Sequence, residues 1–389
     1  MQNDRDDADN PKEALLKIIN AYNNSRQEDS KLPVTPKVQS TVGQRRPYSE
    51  FLSPVPNKTE QKQPLQKVVE PKSNGFLGDS LNKKSGETVE DILKLMPPDF
   101  FDFWNFCSTI NKAKPEDAFA EIGFHLVGVY DLLAKKVPKT KTVYLHCHWR
   151  YYYDPPEFQT IIKLDGDDLF HIGYFSDDPS EVPRILASNK ANSGAKLTLM
   201  GDNVFAAMNS ALSKVLNRIN EKKLKEKFLN IQRDLQVFAK KKKYSLGNNN
   251  EKTKNRQKRV VAKTFHSLGI VVPIVRDVGY RCLSETDASL KRALNKIVTA
   301  KDVKTKEENE SILFDVIHNV HLANDECDFG TGLELGIDLF CNGDPYFHPN
   351  ILRFLPLAYY LLKRNKFGEI VHAHLKNRKT GDDLADADL

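Results

Sequence analysis

The chain of 389 residues carries a formal net charge of +6, with 28% charged and 40% hydrophobic residues. That length suffices for two domains of ordinary size, while the modest apolar share points to a portion that stays unfolded. No run of 18 apolar residues occurs, which excludes a helical membrane span. The start, Met1 to Asp7, lacks the basic-then-apolar pattern of a secretory signal. Five scattered cysteines (Cys107, Cys147, Cys282, Cys327, Cys341) without a Cys-x-x-Cys pair fit a reducing compartment better than a disulfide framework.

Residues 1–86 read as a disordered tail. Eight of the 20 prolines fall between Pro11 and Pro71, and too few apolar groups are available to offset the entropy of ordering. Leu15, Ile18, Ile19 and Tyr22 are spaced like one face of a short helix that is marginal alone. Order is expected from Thr88, where Thr88-Val-Glu-Asp91 has capping-box form and Val89, Ile92, Leu93 and Met96 follow at helical spacing. Pro97-Pro98 stops that helix. Asp99 is read as the cap of a second, with Phe100, Phe103, Trp104 and Cys107 on one face.

Thr142–Tyr153 alternates in side-chain character and predicts a strand, with His146 and His148 on one face. Pro155-Pro156 leads into a strand over Phe158–Lys163, and Asp165-Gly166 makes a hairpin into Leu169–Phe175. These strands predict an antiparallel meander. Helices are predicted over Val204–Ile219 and through Leu224, Phe228, Ile231, Leu235 and Phe238. The polar segment Gly247–Arg259 predicts a domain boundary, and Val260–Val275 predicts extended structure. Asp287 is read as capping a helix through Leu290, Leu294 and Ile297. Leu333–Phe340 fits a strand and a helix equally. A last apolar helix starts at Asn350, is interrupted at Pro356 and ends near Asn365, before an acidic tail over 380–389.

The fold class expected is therefore α+β. A tail over 1–86 precedes an α+β domain over 87–245 and a mixed α/β domain over 246–379.

Most candidate sites have an ordinary explanation. His146 and His148 lack a third ligand at a telling spacing, so a sheet face outranks a metal site. Asp165-Gly-Asp-Asp168 is a hairpin turn rather than a calcium loop, since the later bidentate Glu is missing. No Walker loop and no Gly-x-Gly-x-x-Gly occurs, so no nucleotide cradle is expected. Basic groups at Lys222–Lys227, Lys240–Lys243 and Lys252–Lys263 read either as solvated faces or as an import signal or nucleic-acid contact.

One stretch resists this treatment. Ala323–Gly330 packs Asp325, Glu326 and Asp328 into four positions after apolar residues at helical spacing. Carboxylates at a helix C-terminus face the negative end of the macrodipole and repel one another, a local cost that marks either a solvated turn or a site. Cys327, set among them, is a poor nucleophile. Tyr280 and Arg281 follow a turn at Arg276–Gly279. A guanidinium there could hold one of these carboxylates bidentately, if the segments meet.

Several strings resemble the histone PARylation factor family. They are Met96-Pro-Pro-Asp-Phe-Phe-Asp-Phe-Trp-Asn-Phe-Cys107, His148-Trp-Arg-Tyr-Tyr-Tyr-Asp-Pro-Pro-Glu-Phe-Gln-Thr160, Gly201-Asp-Asn-Val-Phe-Ala-Ala207, Asp277-Val-Gly-Tyr-Arg281, Asn324-Asp-Glu-Cys-Asp-Phe-Gly330 and Gly332-Leu-Glu-Leu-Gly-Ile-Asp-Leu-Phe-Cys341. The similarity runs from about Thr88 to about Arg378. The family string has Leu where Met96 stands, a change that a core site tolerates. The tail inherits nothing.

The resemblance implies an accessory factor for DNA-break-activated poly(ADP-ribose) polymerases, acting in the nucleus on chromatin. Such a factor docks on the polymerase catalytic domain and completes its active site, so that serine residues, chiefly on histones, are modified. It is not an enzyme alone and has no cofactor of its own, since NAD belongs to the polymerase. The family's catalytic glutamate falls on Glu326. Its docking residues fall on Tyr280, Arg281, Asp325 and Asp277, with Arg281 also orienting the glutamate. Asp328 is expected to help make the rim negative and steer Lys-rich histone tails. No membrane partner is implied, and DNA contact is at most indirect or non-specific. The alternative is a non-catalytic chromatin or nucleic-acid binding module using the basic segments.

Overall fold

The structure, a computed structural model, describes residues 89–137, 147–247, 250–381 and 384. The expectations for residues 1–86, for Thr142–His146 and for most of the C-terminal tail lie outside these residues.

The fold is α+β. A short helix α1 (Val89–Lys94) is followed by α2 (Pro98–Ile110), whose first residue is a proline, a position where its missing N–H would be unsatisfied anyway. Asp99 does not cap this helix. It is buried, and its Oδ2 accepts from Tyr174 Oη at 2.8 Å and from Val204 N at 2.7 Å. The predicted apolar stripe holds. Phe100, Phe103 and Cys107 are buried, joined by Phe106, and Phe100 stacks on Tyr130 with centroids 4.1 Å apart.

Five strands form one sheet in sequence order: β1 (Phe124–Leu126), β2 (Phe158–Leu164), β3 (Phe170–Phe175), β4 (Ile185–Lys190) and β5 (Thr198–Gly201). All neighbours are antiparallel, so the sheet is the expected meander. A four-residue helix α3 (Tyr130–Leu133) follows β1.

The strand expected up to Tyr153 is not formed in its described part. Residues 147–153 run through turns instead. Asp154 is the cause: its buried Oδ2 accepts from Tyr151 N at 3.0 Å and curls the chain back. Arg150 is buried too and donates to the carbonyls of Pro155 and Phe158, both at 2.7 Å. His148 does not lie on a sheet face; its Nε2 meets Asp131 Oδ2 at 2.9 Å.

α4 (Val204–Leu216) packs on the sheet, and α5 (Lys222–Lys241) packs on α4. Asn203 caps α4 by accepting from Ala206 N at 3.0 Å. Their apolar faces join α2 and the sheet in one core that contains Phe205, Leu212, Phe228 and Leu235. The polar break at Gly247–Arg259 contains a helix, α6 (Glu251–Gln257). Arg256 in it is a buried clasp rather than part of a solvated run. It forms a bidentate pair with Asp177 (2.8 and 2.7 Å) and donates to the carbonyls of Leu268 and Gly269. Of the extended segment that follows, only β6 (Val260–Ala262) and β7 (Ile270–Val271) pair.

The remaining chain is helical: α7 (Asp287–Thr299), α8 (Val303–Asp325), α9 (Phe329–Asn342), α10 (His348–Leu361) and α11 (Asn365–Lys376). Thr286, not Asp287, caps α7 by accepting from Ser289 N. Leu333–Phe340 is helix, buried on all sides within α9. Pro356 does not break α10, which runs through it. A second large core joins α7 to α11 and includes Leu294, Leu313, Leu335, Phe354 and Val371. No helix among the described residues is long and apolar enough to cross a membrane. Leu384 is buried beside Trp149, whose N–H donates to the Leu384 carbonyl at 3.1 Å.

Candidate functional site

The acidic stretch lies where α8 ends and α9 begins. Cys327 adopts the left-handed conformation (φ 68°). Cys327 N then donates to the Asn324 carbonyl at 3.1 Å, and Asp328 N to the Ala323 carbonyl at 2.8 Å. That pair of bonds is a Schellman closure with a cysteine where glycine is usual. Asp325 and Glu326 therefore sit at a helix C-terminus, as expected. Asp328 occupies the N-cap position of α9. Sequence periodicity missed this because the helix after it was ambiguous.

The segment bearing Tyr280 and Arg281 meets this corner directly. Val275–Val278 form a tight turn, with Arg276 and Asp277 both left-handed (φ 52° and 65°). Gly279 follows at φ 138°, a conformation that favours glycine. Gly330 N donates to the Gly279 carbonyl at 2.9 Å, and Gly279 N donates to Asp328 Oδ1 at 2.8 Å. A Cβ on Gly330 would lie 2.9 Å from that Gly279 carbonyl, so only glycine allows the approach. Arg281 N donates to Thr331 Oγ1 at 3.2 Å, and that hydroxyl donates to the Arg281 carbonyl at 2.8 Å.

The guanidinium of Arg281 bridges two carboxylates rather than gripping one bidentately. Its Nε donates to Asp328 Oδ2 at 2.7 Å and its Nη2 to Glu326 Oε2. Glu326 and then Asp328 raise the Arg281 guanidinium further above its ordinary value. The two acids differ in setting. The Glu326 side chain is 63% exposed and that of Asp328 only 9%. Asp328, buried with both oxygens engaged, does not line an open rim; it positions Arg281. Asp325 and Asp277 are exposed.

Tyr280 is half-buried, and its hydroxyl donates to Glu334 Oε2 at 3.0 Å. Burial, then the Glu334 carboxylate, push that hydroxyl's pKa up. Burial pushes Glu334 up to about 7. Glu334 was not singled out from the sequence. The available signal was an acid pair four apart, Glu334 and Asp338, inside an apolar run, which places both on one helix face. Beside the site, Ile274, Val275 and Val278 expose apolar side chains around the Arg276–Asp277 tip.

Chemically, this is an accessible carboxylate aimed by a fixed cation at an exposed helix end. A cavity of about 1550 Å³, lined by Asp178, Arg256 and Arg364 among others, reaches the apolar tip at Ile274 but does not include Glu326. Fold and site thus define an α+β protein with an open carboxylate–guanidinium surface site rather than an enclosed substrate pocket.

The family model described as Histone PARylation factor 1 matches residues 83–378, which hold every residue of this site. The Histone PARylation factor 1 of Mus musculus is 44% identical over 319 residues, 80% of this chain and 92% of its own length. That of Bos taurus is 45% identical over 300 residues, 76% of this chain and 87% of its own. That of Danio rerio is 43% identical over 303 residues, 77% and 87%. The chain belongs to the histone PARylation factor family.

Proposed function

We propose that the chain binds the catalytic domain of a poly(ADP-ribose) polymerase and lends Glu326 to it as a general base for serine ADP-ribosylation, chiefly of histones. The observation that carries this reading is the exposed Glu326 carboxylate held by Arg281, which is itself anchored by Asp328. A serine hydroxyl is a weak nucleophile. Its proton must leave as the oxygen attacks the nicotinamide-bearing carbon of NAD, which the polymerase binds, and the bond to nicotinamide breaks to release it. A carboxylate within hydrogen-bond reach of that hydroxyl accelerates the step about 10²–10⁴-fold. Such a base must reach another protein's cleft, and an exposed position serves that better than a pocket.

Docking uses the adjoining corner. The apolar tip of Ile274, Val275 and Val278 offers area to bury, while Asp277, Tyr280 and Arg281 add polar contacts. Asp325 beside Glu326 keeps the rim negative, which favours Lys-rich histone tails. Work on chromatin at DNA breaks in the nucleus follows from these partners.

The non-catalytic reading keeps one supporting observation. Lys240, Lys241, Lys243, Lys252, Lys254 and Lys258 are exposed near one another in sequence, and could contact nucleic acid. Purified polymerase, activated DNA, NAD and histone separate the two. Glu326→Ala should lower serine modification about 10²-fold or more, and Tyr280→Ala with Arg281→Ala should abolish polymerase pull-down. Serine modification undiminished by Glu326→Ala, with salt-sensitive DNA binding intact, would favour the non-catalytic module.

A further inference from the structure

A second group of acids lies behind Tyr280. Glu334 and Asp338 are four residues apart on α9, and Asp287 opens α7 across from them. One carboxylate oxygen from each lies within 4.8 Å of the others. Two oxygens bound to one ion at about 2.4 Å can be at most about 4.8 Å apart, so this spacing suits a shared cation.

A separate observation concerns Asp338 itself. It is fully buried; Oδ1 accepts from Phe265 N at 2.8 Å, but Oδ2 has no hydrogen-bond partner. A buried carboxylate oxygen without a donor is costly and marks a missing ligand or proton. Burial pushes the Asp338 pKa well up, and Glu334 and Asp287 add to this. Lys291, placed over the Phe265 ring, acts in the opposite direction but ranks last among these influences.

We propose that Asp287, Glu334 and Asp338 form a binding site for a hard divalent cation such as Mg²⁺, Mn²⁺ or Ca²⁺. The donor set is all oxygen, with no imidazole or thiolate, which selects this class. Asp287 is exposed, so an ion can enter from solvent and retain water on that side. The site touches the docking corner through one bond, Tyr280 Oη to Glu334. A bound ion would fix Glu334 and with it Tyr280. The proposal stands whether or not Glu326 is a catalytic base.

Titration of the chelator-treated full chain with Mn²⁺, Mg²⁺ and Ca²⁺, by calorimetry and thermal unfolding, tests it. The expected result is one-site binding and a Tm that rises with cation concentration. Asp287→Asn, exposed in the first turn of its helix, should fold normally and weaken that affinity about tenfold or more. Asp338→Asn should abolish binding while leaving the metal-free protein at least as stable, because an amide has no charge to bury. No saturable binding of any of the three ions at millimolar concentration would overturn the site and assign neutralisation to a proton. Binding unchanged by Asp287→Asn would place the ion elsewhere and overturn it equally.

Discussion

Asp131 and Asp154 of the sheet half and Glu326 and Asp338 of the helical half are treated differently by the fold. In the sheet half, Asp131 accepts from Gly128 N and Trp149 Nε1, both at 3.0 Å, and meets His148. Asp154 accepts from Tyr151 N and Thr160 Oγ1, both at 3.0 Å, and meets His171 Nε2 at 2.8 Å. Both residues are buried, and each is engaged by three partners. In the helical half, Glu326 stands open to solvent on a single guanidinium, and Asp338 keeps one oxygen with no partner. A carboxylate whose capacity is used up holds loops together. One with unused capacity that is also exposed, as Glu326 is, is free to act on something outside the chain.

The comparison breaks most easily at Asp154. Asp154→Ala removes one acceptor and strands three donors in the interior. It should destabilise by about 3–5 kcal/mol, read as a lowered urea midpoint. A destabilisation within about 0.5 kcal/mol, as at an ordinary surface site, would mean that the sheet-half network is not structural.

A smaller effect is expected from Glu334, and it depends on pH. Its folded-state pKa, about 7, lies above the ordinary value of 4.5, so the native state binds the proton more tightly. Stability is therefore highest below pH 4.5 for this group and falls as pH rises toward 7, by on the order of 2–3 kcal/mol. Glu334→Gln, measured in chelator by urea unfolding at pH 5 and pH 8, should flatten that fall. An unchanged slope would show that the helical-half acids carry no such penalty.

The smallest effect is at Cys327, where φ is 68° in a Schellman closure. Cys327→Gly relieves left-handed strain and should stabilise by up to about 1 kcal/mol, read as a raised thermal midpoint. Destabilisation would mean that the thiol contributes packing that the backbone argument ignores.

Much of the scaffold was legible because it follows a period. The Asp165-Gly166 turn between alternating segments gave β2 and β3, and the 3.6-residue repeat gave α4, α5, α7 and α8. The Thr142–Tyr153 alternation misled in its described part, since Arg150 and Asp154 bind local backbone and override the strand pattern. The helix α11 was missed because Lys363, Arg364 and Asn365 look like an ending. The chain in fact turns at Lys363 (φ 60°) and starts again.

The site was legible as residue types but not as geometry. Forty-five positions separate Arg281 from Glu326, and no local pattern says that they touch. What joins them is Gly330, which lets α9 approach the Gly279 carbonyl, and Asp328, which binds both Gly279 and Arg281. Read from the sequence, Asp328 was one more acid on a rim. Its role became visible only with its burial.

The most direct measurement is the serine-modification rate of Glu326→Gln beside its affinity for the polymerase. The amide keeps the size of the side chain and removes the base. Unchanged affinity with modification lowered about 10²–10⁴-fold is the predicted result. A rate equal to that of the unaltered chain, at equal affinity, would contradict the claim that this carboxylate takes the proton.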